Sequence, residues 1–321
     1  MILPPPSSAS LYSFLTTLVK PSIMAPSVAA EPPIVAVPTK GPTNGTVEQA
    51  PSKTQKESAG FHWPARPTFA SLEEERESRK ERLALAFRVF GMLGFDEGVA
   101  GHLTYRDPIL KDHFWVNPFG VNFRLMTKSD LLLIGPDGKI KGGGKPDGQY
   151  YNAAAYAIHH AIHTARPDID AACHSHSLHG KAFSTLGRNI EITTQDSCVF
   201  HNQCALYENF GGVVLGEDES GKIAETLGQH NKALILQNHG ILTAGETIES
   251  AVMWFVMLER HCQVQLLADA AAGSRGQKPI VIDDAEAEFT HKMTGNEVAG
   301  HFFARPLFAQ ARAEYKDAHL A

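Results

Sequence analysis

Residues 169–183 read IDAACHSHSLHGKAF, three histidines within six positions behind a run of small apolar residues. The stretch IDAACHSHS (169–177) reads as a buried strand. Side chains at i and i+2 of a strand share a face, so His174 and His176 project together. Their spacing along the strand, about 7 Å, lets two imidazoles converge on one ion. A catalytic zinc site takes three protein ligands and keeps one position open. A third ligand must therefore come from elsewhere, and ILQNHGILT (235–243) offers His239 between an apolar strand and Gly240. A histidine beside glycine at a strand end sits at the rim of a sheet, where a pocket can form.

The rest of the chain supplies the framework around that strand. SLEEERESRKERLALAFRVFGMLGF (71–95) has a serine cap, glutamates in its first turn and an apolar stripe, so a helix is expected. GVAGHLTYRDP reads as loop, strand and turn, and HFWVNPFGV as a strand broken at Asn117-Pro118. DLLLIGPDGKI is a hairpin turning at Pro136-Asp137-Gly138. YYNAAAYAIHHAIHTARPD is a helix that stops near Pro167, and a second helix is expected from Leu178 to Leu186. GGVVLG reads as a short strand, SGKIAETLGQH as a helix, and KALILQNHGILTAG as a strand followed by a turn. TIESAVMWFVMLERHCQVQLLADAAAG is a long helix ending at Gly273. Strands and helices mix without strict alternation, which predicts a mixed sheet with helices on both faces. His159 and His163 have the i, i+4 spacing of helix-borne ligands, but His160 stands where a general-base Glu would follow. They are expected to pack or to support other groups.

Composition narrows the function. The chain has 321 residues and a formal net charge of -6, with no dense Lys/Arg block, so nucleic-acid and anionic-membrane roles lack electrostatic support. Four cysteines without CxxC spacing point to free thiols in a reducing, cytoplasmic setting. No apolar run reaches the length of a membrane span. Residues 1–65 are rich in Pro, Ser and Ala and are expected to be a disordered tail, with LYSFLTTLVK (11–20) its one apolar piece and a weak candidate for organelle targeting. A folded domain is expected over 66–280, with a helical extension over 281–321.

Together GHLTYRDP, WVNPFG, ARPDIDAACHSHS, FGGVVLG and ILQNHGILTAG resemble the class II aldolase/adducin N-terminal-domain superfamily over about residues 75–275. The resemblance implies an α/β fold, a single three-layer α/β/α domain around a mostly antiparallel mixed sheet. It implies a divalent metal, normally zinc, on His174, His176 and His239, and a homotetramer acting on a small molecule. Aldolases of the superfamily carry an acid/base Glu on the helix before RPD; counting back places Ala155 there, and Asp147 is the only carboxylate nearby. Gly101-His102-Leu103-Thr104 stands where the family's phosphate-binding turn has Gly-Asn-hydrophobic-Ser. The implied function is a metal-dependent lyase, by aldol cleavage or decarboxylation through an enolate, on a hydroxy-carbonyl or hydroxy-acid compound. Epimerase chemistry at the same site, or an adducin-like scaffold, are the alternatives. Asp147 and Tyr207 are the candidate proton donors. His102, Thr104, Asn117 and Gly120 are expected to bind substrate, while Arg106 and Asp107 form either a buried ion pair or part of the lining.

Overall fold

The computed structural model describes residues 63–212 and 217–321. The tail expected over 1–65 lies outside these residues except at its last three, as does most of the GGVVLG strand. Eight strands form one sheet: β1 (His102–Arg106), β2 (Phe114–Val116), β3 (Leu132–Ile134), β4 (Ile140–Gly143), β5 (Ala171–Ser175), β6 (Cys204–Tyr207), β7 (Ala233–Leu236) and β8 (Gly240–Gly245). Their order is β4-β3-β2-β1-β5-β8-β7-β6, antiparallel throughout except for the parallel pair β6–β7. The fold is α/β with one mixed, mostly antiparallel sheet.

Strand parity separates two cores. On one face, Leu103, Tyr105, Cys173, Ile235 and Ile241 pack with α1 (Leu72–Leu93) and α5 (Ile248–Gly273). On the other, Leu234, Leu236 and Leu242 meet α2 (Ala153–Ala165) and α4 (Glu217–Leu227). The second half of α1, Leu83 to Gly91, is buried all round, so its apolar residues do not form a narrow stripe. Ser71 caps α1 by accepting from the Glu74 N–H, and Glu73–Glu75 favour its positive end. α3 (Leu178–Ser184) follows β5 directly, and α6 (Asp284–Thr294), α7 (Glu297–Phe303) and α8 (Arg305–Tyr315) complete the chain.

Two readings of the sequence need correction. KALILQNHGILTAG is not a strand and a turn but a hairpin of two strands, with Leu236 paired to Gly240 and a three-residue loop between them. β8 then lies inside the sheet, between β7 and β5, third from the β6 edge. Arg106 and Asp107 do not pair with each other. The Arg106 guanidinium binds Asp170 and the carbonyls of Lys111, His163 and Ile169. Asp107 accepts two bonds from Arg76 and one from the Trp115 indole. Both are structural because each is buried with its charge met by other partners.

Candidate metal centre

His174 is near the end of β5, His176 just beyond it, and His239 closes the β7–β8 loop. One ring nitrogen from each lies within 4.8 Å of the other two. Ring centroids are 4.7 Å apart for His174 and His239 and 4.8 Å for His176 and His239. The loop that delivers His239 turns on Asn238 at φ 59°, a left-handed conformation that asparagine tolerates. Gly240 leaves room beside the site: a Cβ there would come within 3.1 Å of the Ser175 carbonyl oxygen, a tight contact that the backbone would have to relieve.

The His174 Nδ1–H donates to the Ile241 carbonyl at 2.9 Å, which leaves Nε2 as the lone-pair nitrogen. Burial is the main force lowering the proton affinity of all three imidazoles. His239 and His102 add to it at His174, and Lys181 adds to it at His176. His239 is brought down to about 4 by burial and by His176. Three neutral nitrogens on adjacent elements match the donor set of a divalent ion.

Behind the three histidines stands a buried polar column. His102 pairs with His174 across β1–β5, its ring 5.0 Å from the His174 ring and 4.2 Å from that of His159. Both ring nitrogens of His102 are buried without a partner, and burial first, then His159, holds the ring neutral. A neutral imidazole carries one donor and one acceptor, so His102 presents one unmet group of each kind. Below it, the Ile169 carbonyl accepts from His163 Nδ1–H at 3.3 Å, so His163 Nε2 accepts the Thr104 hydroxyl at 2.8 Å. Thr104 oxygen in turn accepts His159 Nδ1–H at 2.7 Å. The two helix histidines thus support the strand.

A cavity of about 470 Å³ opens on the three histidines. His102 borders it, with Asn152, Ala155, Ile158, Lys181 and Phe210. No Asp or Glu lies among the described residues that line it. The other residues singled out in the sequence stand elsewhere. Thr104 is fully buried with its hydroxyl engaged, and so is removed from substrate. Asn117 follows β2, two strands from β5, and Gly120 is an exposed turn residue; neither borders the cavity. Asp147 is exposed after β4, and Tyr207 is buried in the core between β6 and α4. Sequence reasoning missed Lys181, although it is five residues past His176 and so one helical turn into α3.

Residues 81–266 match the family model described as Class II Aldolase and Adducin N-terminal domain. The chain is similar to a solved L-fuculose 1-phosphate aldolase from Glaciozyma antarctica PI12, at 52% identity and TM-score 0.74, covering 80% of this chain and 97% of that one. It is 39% identical to Decarboxylase NovR of Streptomyces niveus, over 78% of this chain and 90% of the relative. It is also 39% identical to the 4-hydroxy-3-prenylphenylpyruvate oxygenase/4-hydroxy-3-prenylbenzoate synthase of Streptomyces roseochromogenus, over 78% of this chain and 88% of the relative.

Proposed function

Because the chain belongs to the class II aldolase and adducin N-terminal domain family, we propose that it is a metal-dependent lyase cleaving a carbon–carbon bond beside a carbonyl group. The observation that carries this reading is the convergence of three neutral imidazoles on one cavity whose described walls hold no carboxylate. A divalent ion held by His174, His176 and His239, zinc by the fit of its donor set, would act as a Lewis acid toward the substrate's carbonyl oxygen.

The residues of the chain favour decarboxylation of an oxo acid over aldol cleavage. Aldol cleavage begins by taking a hydroxyl proton and needs a base. Loss of CO₂ needs none: the electrons of the broken bond stay on the substrate carbon, which then takes a proton. Asp147 and Tyr207 stand away from this cavity, and the reading assigns that proton to solvent. His102 orients the substrate, with its unmet N–H donating to a substrate oxygen. The relative named a decarboxylase supports this choice, and the family resemblance supports a homotetramer as the working assembly.

Metal analysis of purified protein beside a His174→Ala/His176→Ala variant tests the reading. Near-stoichiometric metal in the wild type alone is expected, with CO₂ released from one or more members of a panel of aryl and alkyl 3-oxo acids. No metal in either protein would leave a scaffold. Oxygen uptake matching product formation would replace the lyase with oxygenase chemistry, the activity in the second Streptomyces relative's name.

A further inference from the structure

Lys181 is the only Lys, Arg, Asp or Glu among the described residues bordering the cavity. Its ammonium meets the Glu97 carboxylate, and both side chains stay partly exposed, at 37% and 44%. Glu97 belongs to the loop between α1 and β1 and is not itself a lining residue. Lys181 is held in register with the histidines. α3 starts two residues after His176, and the buried Glu259 carboxylate fastens that start by accepting from Ser177 Oγ and from the backbone N–H groups of His179 and Gly180. Much of the remaining wall is apolar, including Ala100, Ala154, Ala155, Ile158 and Phe210. The first turn of α2, capped by Asn152, borders the same space and turns the positive end of a 13-residue helix toward it.

We propose that Lys181 determines specificity at this site by taking the carboxylate of an acid with an apolar body, displacing Glu97, while the substrate's oxo oxygen faces the three histidines. The proposal rests on the lyase reading for its location. A partly exposed ion pair such as Lys181–Glu97 is weak enough to exchange for a substrate anion. A single ammonium is a point charge that suits one carboxylate, whereas a phosphoryl group with three oxygens calls for several donors. The apolar wall gives the rest of the molecule a place to lose water.

The test is binding, independent of turnover. Zinc-loaded protein, its zinc content measured first, is titrated calorimetrically with 4-oxo-4-phenylbutanoate and with its methyl ester. This aryl oxo acid is stable, and its carboxylate is too far from the oxo group for easy chelation. Lys181→Gln should weaken the acid about tenfold, the loss of one charge-assisted contact, and leave the ester unchanged. Glu97→Gln should tighten the acid. Unchanged zinc content and thermal midpoint show that both variants are folded. No binding of the acid, equal binding by wild type and Lys181→Gln, or equal loss for acid and ester would overturn the proposal. So would inorganic phosphate displacing the acid at equal concentration in a Lys181-dependent way. A protein that takes up no zinc sinks the lyase reading alone; the same titrations on the metal-free protein then decide for Lys181 by the same outcomes.

Discussion

Thr104 bridges two buried histidines: the Ile169 carbonyl fixes the tautomer of His163, and the Thr104 hydroxyl, donated to that ring, fixes the tautomer of His159. Thr104→Val keeps the shape and strands an N–H on His159 and a lone pair on His163. It should cost about 1–3 kcal/mol in urea unfolding, the usual penalty for a buried group left unpaired. His163 also sets a pH dependence. Burial, with Arg106 nearby, lowers it to about 3, against about 6.5 in an unfolded chain. Below pH 6.5 the unfolded chain takes up this proton first, so stability falls as the pH drops from 6.5 toward 3. His163→Gln should therefore cost stability at pH 7 and cost less at pH 4, read from urea midpoints at the two values. At the ligands, His239→Ala should lower zinc affinity by at least about tenfold with little change in far-UV circular dichroism, since its ring serves the site and not the core. The meeting of His174, His176 and His239 was legible because strand period and a glycine neighbour are local signals. Thr104 was misread because its neighbours, His159 and His163, lie on a helix over 50 residues away, and no local pattern announces that contact.

Helices with caps and apolar faces could be read directly: Ser71 opens α1 as its sequence predicts, and α5 runs to Gly273 as expected. The strands were less transparent. β6 is four residues long, and its partner is parallel β7, so neither a turn nor a hairpin signal marks it. β8 was taken for a turn because NHG looks like a chain reversal leading out of the sheet, whereas Asn238 turns the chain straight back into it. The helices after residue 280 show how tightly distant elements can fit. A Cβ on Gly300 of α7 would meet the rigid Trp254 indole of α5 at 2.4 Å. Gly300→Ala should destabilise by about 1–3 kcal/mol, the range of overpacked cores, checked by thermal or urea unfolding. Ala at neighbouring Val298, which is exposed at 38%, should cost less.

For the whole molecule, a metal that binds only the folded chain is a stabiliser by mass action. At free zinc near 100 times its dissociation constant the gain is about 2.7 kcal/mol. Chelation with EDTA should lower the thermal midpoint of the wild type and leave that of His174→Ala/His176→Ala unmoved. Among the described residues no helix is long and apolar enough to cross a membrane.

The placement of β8 between β5 and β7 has a consequence for biosynthesis. During translation His174 and His176 emerge more than sixty residues before His239, and they remain a pair until the later hairpin takes its place between β5 and β6. A nascent chain halted before residue 232 lacks His239. On the proposed function, ion capture would then be a late event, reserved for polypeptides that have already finished assembling their centre.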